Sequence, residues 1–195
     1  MTQLLDKTTD QRIVLQGTWE KFKLMQQASE DSPGVRLAYY DGTIEVFMPG
    51  FQHESFSEII GYLVTTFLLS QGIAFIPSGS VTQEREGKAS AQADKSYCLG
   101  GAKLIPDLSI EVIFTSGNAN KLARYQDLGV SEVWFWQDGV LTLHHLRTHH
   151  YERIDCSELP GLQQLDVDLL QRCILMAETD FPLAVQTFQA SLGRK

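Results

Sequence analysis

Two acidic residues, Asp107 and Glu111, stand on one face of a segment that otherwise has the pattern of a buried strand. The other face of residues 107–114 is apolar at a period of two and consists of Leu108, Ile110, Val112 and Phe114. A carboxylate inside a fold is costly unless it is paired, hydrogen-bonded or bound to a metal ion. The segment therefore predicts an acidic functional site or, as the alternative, the solvated face of an antiparallel sheet.

Asp107 and Glu111 cannot bind the same metal ion. A strand rises roughly 3.3 Å per residue, which separates the two residues by about 13 Å, whereas oxygen ligands lie about 2.1 Å from Mg²⁺. A second acid must come from another strand. Asp94 is the candidate, because it lies on a short strand predicted for residues 93–99, and a short loop joins antiparallel neighbours. Asp94 and Glu111 are thus predicted to point into one space.

Lys121 completes this group, since it lies in the first turn of a helix predicted for residues 118–128 and can lean back over the same space. Two carboxylates could hold Mg²⁺ or Mn²⁺ through hard oxygen ligands. The lysine ammonium could stabilise the charge of a phosphodiester transition state or position a water molecule. The three side chains together suit phosphodiester hydrolysis. In most proteins an acid–lysine group is a surface ion pair, and that alternative stays open.

His53 lies at the start of a long helix predicted for residues 52–70. The apolar stripe of this helix has helical spacing and contains Phe56, Ile59, Ile60, Leu63, Val64, Phe67 and Leu68. His53 precedes Phe56 by one helical turn, so it projects from the buried stripe. It is either a satisfied core or capping histidine or a residue at the edge of the site.

The remaining chain predicts strands and helices around this group. A helix is expected over 11–30, and Asp41-Gly42 predicts a type I′ hairpin between strands 35–40 and 43–48. Asp138-Gly139 predicts a second hairpin, between 131–137 and 140–146. Further elements are strands at 73–77 and 80–86, a loop at 87–92, a helix cap at Ser116-Gly-Asn118 and C-terminal helices at 162–175 and 181–192. Strands 80–86, 93–98, 107–114 and 131–137 are expected in one mixed sheet, covered by helices 52–70 and 118–128.

Composition narrows the class of protein. The chain has 195 residues, of which 43% are hydrophobic and 21% charged, as expected for one globular domain over 1–195 with loose residues 1–10. No apolar run approaches the ~20 residues of a membrane span, and the start lacks a basic signal sequence. Three scattered cysteines favour a reducing, cytoplasmic location. The net charge of −8 argues against a nucleic-acid partner without excluding one, because a carboxylate metal site is itself acidic.

Several motifs, in order, resemble the Uma-two family. The likeness covers roughly residues 35–146 and rests on Asp41-Gly-Thr-Ile-Glu45, Met48-Pro49, His53-Glu54, Gly79-Ser80, Asp94-Lys-Ser-Tyr97, Pro106-Asp-Leu-Ser-Ile-Glu-Val112, Thr115-Ser-Gly117, Lys121-Leu-Ala-Arg-Tyr125, Leu128-Gly-Val130 and Glu132-Val-Trp134. This family, expanded in cyanobacteria, is assigned to the PD-(D/E)XK nuclease superfamily. The resemblance implies an α/β (α+β) restriction-endonuclease-like fold, with a mixed central sheet flanked by helices. The nuclease core would span about 35–146, with an N-terminal helix and β-hairpin and with C-terminal helices.

The resemblance also assigns roles. Asp94 stands where the family has the aspartate of a Pro-Asp pair, although Ala93 replaces the proline. Glu111 stands where it has the acid of the E-x-K element. Ile113 occupies the usual lysine position, and Lys121 fills that role from the helix. Asp107 belongs to the family pattern too and is an alternate acid or a support for the metal ligands.

We therefore expect a Mg²⁺-dependent endonuclease acting on DNA. A two-fold homodimer would match the symmetry of a duplex, with the hairpin aromatics Tyr39, Tyr40 and Phe47 at the interface. One alternative is a degenerate member that binds nucleic acid or protein without cutting. Another is a zinc protein using His144, His145, His149 and His150, which is disfavoured because neighbouring strand residues face opposite sides.

Overall fold

The computed structural model describes residues 9–114 and 118–193, which form two β-sheets and five α-helices. The strands are β1 (Gln11–Gln16), β2 (Arg36–Tyr40), β3 (Thr43–Met48), β4 (Phe75–Pro77), β5 (Thr82–Arg85), β6 (Ala89–Gln92), β7 (Lys95–Leu99), β8 (Leu108–Ile113), β9 (Glu132–Gln137), β10 (Val140–Leu146) and β11 (Tyr151–Ile154). The helices are α1 (Trp19–Ala28), α2 (Phe51–Ser70), α3 (Asn118–Leu128), α4 (Val167–Ala177) and α5 (Phe181–Leu192).

The larger sheet has the order β11-β10-β9-β8-β7-β4 and is mixed. Strands β8 and β9 are parallel, and α3 forms the crossover between them, whereas β7 pairs with β8 in the antiparallel sense. The predicted neighbours 93–98, 107–114 and 131–137 are confirmed in this sheet, with β8 in its interior. Strand β5 is different, because it belongs to the second sheet.

The second sheet has the order β1-β3-β2-β6-β5 and is antiparallel throughout. Its β2–β3 hairpin turns at Asp41 and Gly42 with φ of 45° and 71°, as the type I′ prediction requires. Asp138 and Gly139 do the same between β9 and β10, with φ of 51° and 78°. Both hairpin predictions are confirmed.

The predicted helix over 11–30 is wrong for its first part. Residues 11–16 form β1, which pairs with β3, and α1 begins only at Trp19. Gly17 separates the two elements, and its backbone N–H donates to the carbonyl of Gly42 at 2.8 Å. A Cβ at Gly17 would lie 2.7 Å from the Cδ1 of Ile44, so this close approach requires glycine.

Three other segments differ from the predictions. The expected loop at 87–92 contains β6, whose small residues Ala89, Ser90 and Ala91 are fully buried between β2 and β5. The helix expected from 162 begins at Val167, because the Asp166 side chain caps it by accepting from the backbone N–H of Leu169. Strand β11 begins only at Tyr151, whereas His149 and His150 were expected on a strand that follows a turn after β10. The predicted cap residues Ser116 and Gly117 and most of the predicted loose segment, residues 1–8, lie outside the described residues.

Two apolar clusters position α2 and α3. The larger lies between the mixed sheet and helices α2, α4 and α5, and it includes the predicted stripe of α2. The second joins both sheets to α3 through Ala91, Ile113, Tyr125, Leu128 and Phe135. Helix α3 ends at Leu128 and is followed by Gly129, which has φ of 84° as expected for a C′ glycine. Contacts of Lys121 and Tyr125 with Glu111 place the helix beside β8.

Within residues 9–114 and 118–193, no helix combines the length and the apolar character that a membrane span needs.

Candidate functional site

Asp94 and Glu111 are buried carboxylates that line one small cavity. The side chain of Asp94 is 2% exposed and that of Glu111 is 5% exposed. Asp94 directly precedes β7, and the pairing of Lys95 with Ile110 brings it beside Glu111 of β8. Their cavity, the inner cavity, has a volume of about 20 Å³ and is lined by Arg36, Leu37, Ala38, Glu45, Phe47, Gln92, Asp94, Glu111, Lys121 and Arg124. This is enough room for one water molecule.

A guanidinium, an imidazole and a backbone amide hold Asp94. Its Oδ1 accepts from the guanidinium of Arg36 and lies 2.8 Å from His53 Nε2, while its Oδ2 accepts from the backbone N–H of Val112 at 2.6 Å. Burial raises the pKa of Asp94, but His53 and Arg36, followed by Lys121, outweigh burial and lower that pKa below its usual value. Asp94 is therefore ionised in a site closed to bulk water.

His53 connects Asp94 to a second acid. Its Nδ1 lies 2.9 Å from Asp10 Oδ2, so both ring nitrogens face carboxylates. Burial lowers the pKa of His53, but Asp94 and Asp10 raise it above its usual value. The two alternatives for His53 prove compatible, because the ring is 2% exposed and also contacts a site acid. Its role in the geometry is to fix the orientation of Asp94.

Among residues 9–114 and 118–193, helix α3 supplies the side-chain partners of Glu111. The ammonium of Lys121 donates to Oε2, the hydroxyl of Tyr125 donates to Oε1, and Arg124 Nη2 lies 3.9 Å from Oε1. Residues spaced by three and four share a helix face, which explains why these side chains converge. Burial and then the charge of Glu111 hold the pKa of Tyr125 well above its usual value, so the phenol remains a donor.

Glu45 is a third acid at the inner cavity. Its Oε1 lies 2.8 Å from Arg12 Nε, and its Oε2 accepts from Arg124 Nη1 at 3.3 Å. Burial raises the pKa of Glu45, but Arg124, Lys121 and Arg12 together lower it below its usual value. Glu45, Arg36, Arg124 and Tyr125 were not predicted as site residues. The spacing of Lys121, Arg124 and Tyr125 and the motif that ends at Glu45 were usable signals, whereas Arg36 carries none in the sequence.

The solvated-face alternative for β8 is wrong. All six residues of β8 are buried, and the hydroxyl of Ser109 exchanges hydrogen bonds with the buried side chain of Gln83 from the other sheet. Phe114, expected on the apolar face, is 42% exposed, although its ring lies against those of His53 and Phe56. The alternative of a surface ion pair is also wrong, because Lys121 and Glu111 are both largely buried.

Asp107 lies outside the site, which corrects the prediction that it is a site acid. Its Oδ2 accepts from the backbone N–H of Leu99 at 2.7 Å, and its two oxygens lie 2.6 and 2.7 Å from Lys103 Nζ. These contacts close the loop between β7 and β8. Asp107 does not line the inner cavity.

The carboxylate oxygens at the inner cavity fit a hard divalent cation. Each carboxylate oxygen carries two lone pairs. Asp94 Oδ1 uses both, but Asp94 Oδ2 and each oxygen of Glu111 accept a single hydrogen bond from the described residues. Within that part of the chain no three His, Cys, Asp or Glu side chains are grouped to hold an ion alone. Two carboxylates with water and phosphate oxygens are a usual Mg²⁺ environment.

A second buried acid, Glu132, has different surroundings. Its Oε1 accepts from the backbone N–H of Glu158 at 2.6 Å and lies 3.1 Å from His145 Nδ1. Its Oε2 accepts from Trp134 Nε1 at 2.9 Å and from the Ser157 hydroxyl at 2.8 Å. We call these residues the Glu132 network.

The histidines do not form a metal site among the described residues. His145 contacts Glu132, whereas the His144 ring packs on Phe135 and burial lowers its pKa. His149 and His150 are exposed. The neighbours His144 and His145 thus face opposite sides of the sheet, as the sequence indicated.

The hairpin aromatics differ from the expectation of an exposed interface. Tyr39 is buried against the rings of Trp19 and Phe22. Phe47 is half-buried and lies 5.0 Å from the His53 ring. The homodimer itself stays a prediction, but Tyr39 is not available to a partner.

Comparison with known proteins gives one family. Residues 19–177 match the Uma2 family, described as "Putative restriction endonuclease". The chain is similar in structure to a protein described as "a putative nuclease belonging to DUF820 from Anabaena variabilis ATCC 29413", with a TM-score of 0.53 and 14% identity. The similarity covers 71% of this chain and 90% of that chain, and it confirms the predicted restriction-endonuclease-like α/β fold. No curated protein matches the chain.

Proposed function

The chain belongs to the Uma2 family of restriction-endonuclease-type nucleases, and from that premise we propose that it is a metal-dependent endonuclease that hydrolyses phosphodiester bonds in DNA. The observation that carries the proposal is the convergence of Asp94, Glu111 and Lys121 on the inner cavity. Two acids with spare lone pairs and one ammonium beside them are the groups that this hydrolysis needs. Asp107 is not part of the proposal.

Asp94 and Glu111 would hold Mg²⁺ or Mn²⁺. The bound ion would polarise the phosphodiester and lower the pKa of a water molecule. Arg36 and His53 fix Asp94 through its Oδ1, which leaves Oδ2 to act as the ligand. Tyr125 fixes Glu111 through Oε1 in the same way. The protein thus orients both ligands before the substrate binds.

Lys121 supplies the charge for the reaction. Its ammonium contacts Glu111, and its side chain is 16% exposed, so it borders both the acids and solvent. A cation placed there stabilises the negative charge that develops on the phosphoryl oxygens. It also orients a water molecule for attack, because an ammonium has three donors to share.

The direct test is cleavage of supercoiled plasmid with Mg²⁺, Mn²⁺, Ca²⁺ or EDTA. We expect nicked and linear products with Mg²⁺ or Mn²⁺ and none with EDTA. Glu111→Gln should be inactive, while Arg147→Gln should match the wild type, because Arg147 pairs with the surface acids Glu152 and Glu158 and does not line the inner cavity. Wild-type protein that cleaves neither plasmid nor single-stranded DNA nor RNA with any of these metals would overturn the proposal.

One observation favours a second candidate function, a degenerate member that binds nucleic acid or protein without cutting. Every oxygen of Asp94 and Glu111 already has a partner, and Arg36 and Lys121 neutralise the two charges. The net charge of −8 points the same way. Calorimetric titration with Mn²⁺ separates the two functions, since a site held closed by its own cations would take up no ion.

The proposed substrate, a DNA duplex, also suggests the oligomeric state of the protein. Cutting both strands of a duplex with one site per chain is most simply done by a two-fold homodimer. Sedimentation at tens of micromolar should show that dimer, and a monomer would indicate nicking or no cleavage.

We place the protein in the cytoplasm because Cys98, Cys156 and Cys173 are free thiols.

A further inference from the structure

A second cavity lies beside the inner one and contains more cations than acids. This outer cavity has a volume of about 150 Å³ and is lined by Arg12, Val14, Tyr40, Asp41, Thr43, Glu45, Asn120, Lys121 and Arg124. It therefore holds three cationic and two acidic side chains, in a chain whose net charge is −8. Glu45, Lys121 and Arg124 line both cavities, so they form the wall between them.

Arg124 has an unused donor in this wall. The residue is 6% exposed, and its Nε has no hydrogen-bond partner among residues 9–114 and 118–193. Its other contacts are loose, with Nη1 at 3.3 Å from Glu45 and Nη2 at 3.9 Å from Glu111. Buried donors are nearly always satisfied, so an orphaned guanidinium N–H beside a cavity indicates a missing acceptor.

The acceptor that fits is a phosphate group. A guanidinium presents a planar fork of donors that matches phosphate oxygens. The outer cavity is large enough for a phosphate group. Its volume of about 150 Å³ equals that of about five water molecules, since one water takes about 30 Å³ in the liquid. Arg12 is 29% exposed and Lys121 lies in the first turn of α3, so both can add positive charge.

We propose that the outer cavity binds a backbone phosphate next to the one that is cleaved, and that Arg124 is a positioning residue that contacts this phosphate through Nε. This inference rests on the proposed function for its substrate class. Contact with a neighbouring phosphate sets the register of the strand over the inner cavity without reading its sequence. Glu45 bridges Arg12 and Arg124 and so orients both guanidinium groups.

The first experiment measures binding without cleavage. A fluorescein-labelled DNA duplex is titrated in EDTA at several salt concentrations, with wild type, Arg124→Gln, Arg124→Lys and Arg147→Gln. Arg124→Gln should weaken binding about tenfold and reduce the slope of log K against log salt by about one. Arg124→Lys should weaken binding but keep the slope, because the charge remains. Arg147→Gln changes the net charge equally and should leave the slope unaltered.

A second measurement does not depend on DNA binding. Dimethyl phosphate is added to ¹⁵N-labelled wild type, and the Nε–H signal of Arg124 is followed, assigned by its absence from Arg124→Lys. A saturable shift of that signal is expected. Thermal melts of each variant show whether it is folded.

The outcomes separate this inference from the proposed function. Cleavage by the wild type, together with an unchanged slope in Arg124→Gln and an unshifted Nε–H signal, would overturn the role of Arg124 and leave the nuclease intact. No cleavage, with the slope reduced and the signal shifted, would support the phosphate site in a protein that only binds. Wild type that binds neither the duplex nor dimethyl phosphate would overturn the inference.

Discussion

Glu111 and Glu132 are buried acids on the neighbouring parallel strands β8 and β9, yet their surroundings differ. Glu132 accepts from an indole, a hydroxyl and a backbone amide and contacts a histidine, so both lone pairs of each oxygen are used. Glu111 contacts a lysine, an arginine and a phenol and borders a cavity. A saturated acid joins structural elements, whereas an acid with spare lone pairs beside movable cations can accept a ligand.

The origin of the partners differs in the same way. Those of Glu132 come from β9 itself, from the paired strand β10 and from the segment after β11, all fixed by backbone pairing or burial. Those of Glu111, within the part of the chain that the structure describes, extend from one helix face, and Lys121 reaches solvent. The first arrangement joins several elements of the fold, whereas the second depends on the position of one helix.

The largest expected effect is that of Glu111→Gln, which should abolish cleavage and metal binding while the fold persists. For wild type, Mn²⁺ at a hundredfold excess over its dissociation constant should stabilise the fold by about 2.7 kcal/mol, and this gain should vanish in the variant. Thermal melts with and without Mn²⁺ measure it. Glu132→Gln should retain the stabilisation by Mn²⁺. If both variants lost it, Glu111 and Glu132 would not differ in their relation to the metal ion.

Lys121→Ala should keep the metal ion and lose roughly 10²–10³ in cleavage rate, the scale of one electrostatic donor. The reason is that Lys121 supplies charge to the reaction rather than a ligand to the ion. Cleavage rates at saturating metal, beside calorimetric metal titration, measure the two effects separately. An unchanged rate would show that Lys121 serves only to neutralise Glu111.

Glu132→Gln should lower the free energy of unfolding by about 1–3 kcal/mol, because the amide replaces one acceptor of the saturated network by a donor. Denaturant unfolding gives this value. Cleavage per folded molecule should equal that of the wild type, with Arg147→Gln as a surface control. A specific loss of cleavage would place Glu132 in the site.

The smallest effect is expected from Asp107→Asn, since asparagine can still accept from the Leu99 N–H and loses only the pair with the partly exposed Lys103. The stability should fall by less than about 1 kcal/mol. Metal affinity and cleavage should not change, and calorimetry with the plasmid assay tests both. If metal binding were lost here and kept in Asp94→Asn, the wrong aspartate would have been paired with Glu111.

The elements predicted correctly are those whose signals are local. Asp41-Gly42 and Asp138-Gly139 have positive φ, and the stripe of α2 follows helical spacing. The failure at β1 arose because Ile13, Val14, Trp19 and Phe22 fit one helical pattern across Gly17. Pairing with β3 decides the conformation of that segment instead, and the sequence of β1 alone does not show it.

The residues of the candidate site likewise fall into those that local patterns predict and those that they do not. Asp94, Glu111 and Lys121 could be grouped because strand order and helix spacing place them near one another. Arg36 and Asp94, in contrast, are 58 residues apart, and Glu45 and Arg124 are 79 apart. Which arginine meets which acid depends on how the two sheets pack, and no local pattern in the sequence encodes that.

These separations bear on how the protein is made in the cell. Contacts between distant residues form late in folding, because the entropy of closing long loops must be offset first. A growing chain that has not yet emerged past α3 has Arg36 but lacks both Lys121 and Arg124, the cations that α3 brings to the inner cavity. Synthesis therefore completes the proposed hydrolytic centre only when most of the polypeptide has left the ribosome.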